Sequence, residues 1–144
     1  MRSALDIARY VIWYCGRHGF AISNLKLQKM LYFIQAEFLV ETGSPCFFED
    51  IEAWDFGPVV PEVYREYKIF GSSDIPTFIV NRRVSLRSNE MDLINGMVDE
   101  CSQYTASQLV EITHSQEPWR VAYNRGRNRV ITVSYTHLTL PTIR

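Results

Sequence analysis

The segment from Ser23 to Gly43, SNLKLQKMLYFIQAEFLVETG, constrains the fold most, because it predicts a helix that is apolar on nearly every side. Ser23 is a typical N-cap, and Gly43 followed by Pro45 is a typical helix end. The apolar positions form one broad stripe that extends around the back of the helix: Leu25, Leu27, Met30, Leu31, Tyr32, Ile34, Phe38 and Leu39. A helix of this kind is buried on most of its circumference, so we expect it at the centre of the domain.

Charged residues leave this helix only a narrow solvent side, which we assign to Lys26, Lys29, Glu37 and Glu41. Gln28 and Gln35 lie two turns apart inside the apolar arc. A buried amide left without a partner costs about 1–3 kcal/mol. We therefore expect both amides to hydrogen-bond to a backbone corner that crosses the helix.

The stretch EAWDFGPVVPEVY, residues 52–64, predicts that corner. The residues before it have an extended pattern, and Gly57-Pro58 is expected to end the strand. Pro61 suits the first turn of a following helix. A catalytic elbow would need an exposed nucleophile at its apex, and Phe56, Gly57 and Pro58 supply none. We interpret the corner as structural, with these stability residues: Trp54, Gly57, Pro58 and Pro61.

The first helix, ALDIARYVIWYCGRHG after the N-cap Ser3, carries the candidate partner-binding residues. Asp6, Arg9 and Trp13 share the face opposite its apolar stripe, and Arg9 is placed to cover the indole one turn later. A tryptophan on a charged face is typical of a contact with a partner. The alternative is that Trp13 packs under a later loop of its own domain. Lys26 and Lys29 complete the candidate set.

The remaining chain predicts more helix and little sheet. TFIVN and RVSL are expected to pair as a small hairpin around Arg82 and Arg83. Ser88, Thr105 and Pro118 are expected to open three further helices, the second with a capping box closed by Gln108. Together the patterns predict a mainly α (α+β) fold: a compact, single-core helical domain with a small β element.

Composition excludes some classes of protein. A chain of 144 residues, 47% of them hydrophobic, suits one domain with one core. The formal net charge of −1 offers no general attraction for nucleic acid. Three widely spaced cysteines favour reduced thiols in a cytoplasmic protein, and no signal peptide or membrane-length apolar run is present.

Chemistry-bearing residues are few, and we predict no catalytic, cofactor or metal site. Cys15 and His18 lie one turn apart but lack the second pair that a zinc site needs. His114, followed by Ser115, admits acid–base chemistry, although a lone histidine that closes a helix usually serves as a hydrogen bonder. A hydrolase using His114 remains an alternative, and it requires the imidazole to face an open cleft.

An arginine run near the end of the chain supports a second alternative, a nucleic-acid-binding regulator. The run consists of Arg120, Arg125, Arg127 and Arg129, with no acid from residue 121 to residue 132. Aromatic residues are not interleaved with it regularly, as a nucleic-acid site would favour. We interpret the run as a solvated loop, so nucleic acid is not the expected partner.

The last twelve residues, 133–144, differ from the rest of the chain. They are rich in threonine, and SYTHLTLPT within them is what a transposase-type sequencing adaptor gives when it is translated in one frame. A genuine strand is the alternative, because valine, threonine and tyrosine favour strands. We interpret 133–144 as a non-native tail that replaces the natural end of the domain.

Four motifs resemble the SocA-like antitoxin family, the Panacea domain, whose members are also described as phage-associated proteins. KLQKMLYFIQA is similar to the family's central helix, and AWDFGPVVPEVY to its Gly-Pro-Val corner. ITHSQEPW, which contains Trp119 as a further structural residue, and Ile131-Thr132 are similar to its closing segments. The resemblance covers nearly all of residues 1–132 in the expected order, and it stops where the family would continue into a last helix.

The resemblance implies a helical domain with a small sheet and no known catalysis, working by protein binding. Family members neutralise toxins encoded beside them, and at least some deliver the bound toxin to a protease. The expected partners are therefore a cognate protein toxin and, in the adaptor version, a protease.

Overall fold

Six α-helices and one small sheet make up the computed structural model, which describes residues 2–81, 84–126 and 128–131. The helices are α1 (Ala4–His18), α2 (Asn24–Thr42), α3 (Pro61–Tyr67), α4 (Ser88–Cys101), α5 (Ala106–His114) and α6 (Glu117–Arg125). The strands are β1 (Glu52–Trp54), β2 (Gly57–Val59) and β3 (Arg129–Val130), in the order β2-β1-β3. The mainly α fold class is confirmed, whereas residues 133–144 lie outside the described residues.

Helix α2 is central, as its sequence predicts. Every residue from Leu27 to Phe38 is buried, and the helix packs against α1, α3, α4, α5 and β2. The Ser23 hydroxyl accepts a hydrogen bond from the Lys26 backbone at 3.2 Å. Gly43 ends the helix in the left-handed conformation. Local capping thus sets the ends of α2, and its apolar circumference sets its place in the core.

The predicted solvent side of α2 is wrong at two positions. Lys29 is fully buried, and Glu37 is 8% exposed. Lys29 can be buried because its ammonium group meets a backbone carbonyl from the neighbouring hairpin, and buried cations require such partners. Lys26 is half-buried and Glu41 is exposed.

The expected single strand before the corner is a hairpin. Strands β1 and β2 are antiparallel, and Trp54 lies opposite Gly57 across a turn at Asp55 and Phe56. Gly57 and Pro58 were expected to end a strand, but they begin β2. Pro58 is tolerated there because β2 is at the edge of the sheet.

The hairpin predicted for TFIVN and RVSL is wrong. Thr77–Ile79 forms a 3-10 turn on α1, residues 84–87 are not a strand, and Arg82 and Arg83 lie outside the described residues. Gly16 explains the close packing, since a Cβ there would lie 2.6 Å from Thr77 Oγ1. Gly16 lies within α1, and Gly19 is the C-cap of the helix.

The later helices agree with their predicted starts within one residue. Thr105 and Gln108 form the expected capping box on α5. Arg87, not Ser88, is the N-cap of α4, and its backbone N–H donates to Glu90. The arginine run was expected in a loop, but Arg120 and Arg125 lie on α6 and Arg129 lies on β3.

Candidate protein-interaction surface

The outward face of α1 places three of the candidate contact residues together. Asp6, Arg9 and Trp13 are all half-buried, and the Arg9 guanidinium lies 2.8 Å from the Asp6 carboxylate. About 40% of the Arg9 side chain and 45% of the Asp6 side chain are exposed, so solvent screens this ion pair strongly. The pair orients charge at the surface more than it stabilises the fold.

The cation beside Trp13 is Arg17, not Arg9 as expected. The central guanidinium carbon of Arg17 lies 5.7 Å from the centroid of the indole ring. Arg9 points back one turn to Asp6, which explains the difference. Trp13 also lies 5.7 Å from the Tyr10 ring and packs partly against the core. Residues four positions apart are neighbours on a helix, so the contact between Trp13 and Arg17 could have been predicted from the sequence.

Two exposed apolar side chains belong to the 3-10 turn that packs on α1. Phe78 is 88% exposed and Ile79 is 48% exposed. The turn packs on α1 and leaves its own largest side chain in solvent. We define the α1 surface as Asp6, Arg9, Trp13, Arg17 and Phe78.

Lys26 belongs to another side of the molecule. Its charge lowers the pKa values of the Cys15 and Cys101 thiols, against the larger rise that burial causes. On a helix, Cys15 and Trp13 point about 200° apart. Lys26 is therefore separate from the α1 surface, although the sequence grouped them.

Lys29 is the candidate contact residue that the structure contradicts. Its side chain is fully buried, and Nζ donates a hydrogen bond to the Pro58 carbonyl oxygen at 2.6 Å. Burial lowers the pKa of this ammonium group to about 7. Because it is enclosed beneath β2, Lys29 supports the hairpin and cannot contact a partner at the surface.

The Gly57 backbone lies directly on Lys29. Gly57 has a φ of +99°, and a Cβ there would lie 2.8 Å from both Lys29 Cε and Thr113 Oγ1. Nearby, the Gln28 side-chain oxygen accepts from the Val60 N–H at 2.9 Å, and its amide nitrogen donates to Asn24. Gln28 thus bonds to the predicted corner, between Pro58 and Pro61.

Gln35 satisfies its amide with a different stretch of backbone. Its oxygen accepts from the N–H groups of Cys46 and Phe47, at 2.7 and 3.2 Å, and its nitrogen donates to the Phe47 carbonyl at 2.9 Å. Both amides therefore pair with backbone, but at two corners instead of the one that was expected.

The remaining structural residues join α6 to the hairpin. The Trp119 indole N–H donates to the Trp54 carbonyl at 3.0 Å, and Tyr123 donates to the Asp55 carboxylate at 2.7 Å. Trp119 stacks between His114 and Tyr123, with ring centroids 4.1 and 4.5 Å away. These contacts hold the turn of the hairpin against α6.

The His114 imidazole is half-buried between the hairpin and α6. Its ring is stacked on Trp119, and its buried Nε2 has no hydrogen-bond partner among the residues that the structure describes. Desolvation lowers the pKa of the imidazole, against a hydrogen bond to the Asp55 backbone that raises it. The group is placed to pack against the hairpin.

The other candidate sites are dispersed. Cys15 is fully buried, and burial raises the pKa of its thiol to about 12, whereas His18 is exposed and stacks on Tyr14. No cluster of three metal-ligating side chains occurs within residues 2–81, 84–126 and 128–131. Arg120, Arg125 and Arg129 are exposed, and Arg127 is outside the described residues.

A groove of about 550 Å³ was not anticipated from the sequence. It lies between three elements: the β1–β2 hairpin, the N-terminal end of α2, and α3. Trp54, Phe56 and Tyr64 contribute to its walls. The one available signal was Phe56, an aromatic residue at a turn. Its side chain is 68% exposed.

Within the part of the chain that the structure describes, no helix has both the length and the hydropathy needed to cross a bilayer.

Comparison with known proteins gives a consistent result. The model of the family described as antitoxin SocA-like, Panacea domain, matches residues 27–120. Antitoxin SocA of Caulobacter vibrioides (strain NA1000 / CB15N) is 37% identical over an alignment of 123 residues, which covers 72% of this chain. The chain spans 61% of the length of that relative. No solved structure matches the chain.

The matched region contains α2, the hairpin, the Gly57-Pro58 corner and Trp119, the features that hold the core together. The chain therefore belongs to the SocA-like antitoxin family with a Panacea domain.

Proposed function

We propose that this protein is the antitoxin of a prokaryotic toxin–antitoxin pair and neutralises a toxin encoded beside it by direct contact. The observation that carries the proposal is membership of the SocA-like family. The structure is compatible with a binding role, because its unusual polar residues Gln28, Lys29 and Gln35 all support the core.

The α1 surface is the proposed contact. Interfaces concentrate their binding energy in tryptophan, tyrosine and arginine, and this surface brings Trp13, Arg9 and Arg17 together. Phe78 adds an apolar side chain that is 88% exposed. Neither Arg17 nor Phe78 is required by the core, so their placement is explained better by recognition than by folding.

The test is growth rescue, with the neighbouring reading frame expressed as the toxin. Wild-type protein should restore growth and co-purify with the toxin. Arg17→Glu should weaken binding at least about tenfold, since a reversed charge in a buried contact costs several kcal/mol. Trp13→Ala should do the same, and its melting temperature checks that the partly packed indole is not simply unfolding the domain.

A matched control is Arg65→Glu, an exposed arginine on α3. It should rescue growth like wild type. Full rescue by both Trp13→Ala and Arg17→Glu would rule out the α1 surface. A neighbouring reading frame that is not toxic, or a toxin that never co-purifies, would rule out the antitoxin function itself.

In the adaptor version of the proposal, the protein also delivers the toxin to a protease. This version differs from neutralisation by binding alone in the half-life of the toxin. If the protein delivers the toxin for degradation, the toxin's half-life should shorten when the protein is co-expressed. If binding alone neutralises, the toxin should persist in a stable complex. A chase experiment after stopping protein synthesis separates the two.

A further inference from the structure

The groove between the β1–β2 hairpin and α3 is lined partly by side chains that remain exposed or half-buried. We define the hairpin groove by six of its lining residues: Leu25, Trp54, Phe56, Val59, Tyr64 and Lys68. Trp54 and Tyr64 meet edge to face with ring centroids 5.0 Å apart, which fixes both rings. Phe56 stands at the turn of the hairpin with 68% of its surface exposed.

Three of the polar side chains that line the groove are already engaged. Gln28 and Asn24 are hydrogen-bonded to each other, and Asn24 donates to the Tyr64 carbonyl. The Trp54 indole N–H donates to Glu52 at 3.0 Å. Small-molecule sites rely on a few convergent polar groups to orient the ligand. With these three groups engaged, the groove offers apolar contact more than directed hydrogen bonds.

The charged residues of the groove indicate the charge of its occupant. Among the residues that the structure describes, Asp55 and Lys68 are the charged ones that line it. The Asp55 carboxylate accepts a hydrogen bond from Tyr123. Lys68 is exposed and makes no ion pair with any residue that the structure describes. The Asp55 carboxylate keeps its charge but is bonded to Tyr123, so Lys68 is the charged group left to pair, and it favours an occupant that carries a carboxylate next to its apolar part.

We propose that the hairpin groove is a second docking site, which takes an apolar side chain of a partner polypeptide flanked by an acidic residue. Its volume of about 550 Å³ is within the range of binding pockets. An aromatic pocket that admits one anchoring side chain is the usual centre of a protein interface. The assignment of this polypeptide to the partner toxin rests on the proposed function. The chemistry of the groove is independent of that function.

The test uses short peptides, so it does not depend on the toxin. The probes are acetyl-Glu-Leu-Phe-Glu-amide, its charge-reversed form with two lysines, and its apolar-deleted form with two serines in the centre. Binding is followed by NMR through the indole N–H signals of Trp54, Trp13 and Trp119, each assigned with a Trp→Phe variant. Trp13 does not line the groove and serves as the internal reference, whereas the Trp119 N–H is bonded to the Trp54 carbonyl and also reports on the hairpin.

The acidic, apolar peptide should shift the Trp54 signal saturably, with a Kd on the order of 1 mM as expected for one anchor. The lysine and serine peptides should bind at least about fivefold more weakly. Lys68→Glu should abolish the preference for the acidic peptide, whereas Arg65→Glu should not. Phe56→Ser should weaken binding, whereas Phe48→Ser, which removes another exposed phenylalanine, should leave it unchanged.

Three results would overturn the proposal: no saturable shift of Trp54, equal binding of all three peptides, or a Trp54 signal that moves with protein concentration alone. The last would assign the groove to a second copy of the chain. Failure of peptide binding with intact toxin neutralisation would reject the groove only. Peptide binding without neutralisation would reject the antitoxin function and leave the groove standing.

Discussion

The ammonium group of Lys29 donates a 2.6 Å hydrogen bond to the carbonyl oxygen of Pro58, in a fully buried position. The contact joins the central helix to the edge strand β2, and Gly57 permits it by having no side chain. An isolated buried cation is costly, so this arrangement makes the stability of the domain sensitive to pH.

The free energy of unfolding should rise with pH from about pH 7 to about pH 8.5. Burial lowers the pKa of Lys29 to about 7, whereas an unfolded lysine titrates near pH 10.4. Between these values the unfolded state binds more protons than the folded state. The slope has an upper limit of about 1.4 kcal/mol per pH unit.

Urea denaturation of wild type and Lys29→Met measures this slope. Lys29→Met should lack this rise. Burial raises the pKa of Cys15, Cys46 and Cys101 to about 12, so ionisation of these thiols in the unfolded state lowers the stability of both proteins toward pH 8.5, and the difference between the two slopes isolates Lys29. His114 contributes little there, because desolvation lowers the pKa of its imidazole. Equal slopes for the two proteins would show that Lys29 is not the titrating group.

Gly57→Ala should destabilise the domain by roughly 2–5 kcal/mol, through a strained φ and an overpacked contact. Its Cβ would lie 2.8 Å from Lys29 Cε and from Thr113 Oγ1. Gly43→Ala is the matched control, since φ is +74° there and nothing lies within 4 Å of the added Cβ. It should cost about 1–2 kcal/mol.

Chemical denaturation of both variants gives the comparison, and the bulkier Gly57→Val should also lower the soluble yield. If the two alanine variants lose the same stability, the contact with Lys29 contributes nothing beyond backbone strain.

Gln35→Met should destabilise the domain more than Gln28→Met. Gln35 makes three hydrogen bonds to backbone, and Gln28 makes one to backbone and one to Asn24. Each buried backbone group left unpaired costs about 1–3 kcal/mol. Thermal melting of both variants beside Gln103→Met, at an exposed position, checks the order. The reverse order would mean that the backbone near Cys46 relaxes to find new partners.

The three thiols should be unreactive in the folded protein at about pH 8. Burial raises the pKa of Cys15, Cys46 and Cys101 to about 12, so roughly one thiol in ten thousand is ionised. A disulfide reagent such as DTNB should therefore modify them at the rate of unfolding, and should modify all three at once in guanidinium chloride. Rapid release of one equivalent from native protein would contradict the burial of that thiol.

Local signals in the sequence predicted much of the fold. Ser23, Gly43 and the Thr105–Gln108 pair set helix ends through contacts within a few residues. The apolar circumference of α2 predicted its central position, and the amides inside that arc predicted hydrogen bonds to crossing backbone. These inferences succeed because each depends on the residues of a single segment and not on which distant segment packs against it.

The errors depended on distant segments. Lys29 is buried only because Pro58, 29 residues away, presents a carbonyl group to it. The strand propensity of the segment after Pro76 gave way to a 3-10 turn that packs on Gly16. Similarly, Arg17 and Phe78 join the α1 surface, and the hairpin groove forms, only after three-dimensional packing.

The contact at Gly57 couples three positions that no local pattern connects. Lys29, Gly57 and Thr113 occupy one small volume although they come from α2, β2 and α5. A substitution that enlarges one of them removes the space of the other two, so single exchanges are expected to be rejected where paired exchanges are tolerated. Across the genomes that encode this family, residues 29, 57 and 113 should covary, and a side chain at position 57 should accompany a shorter residue at position 29.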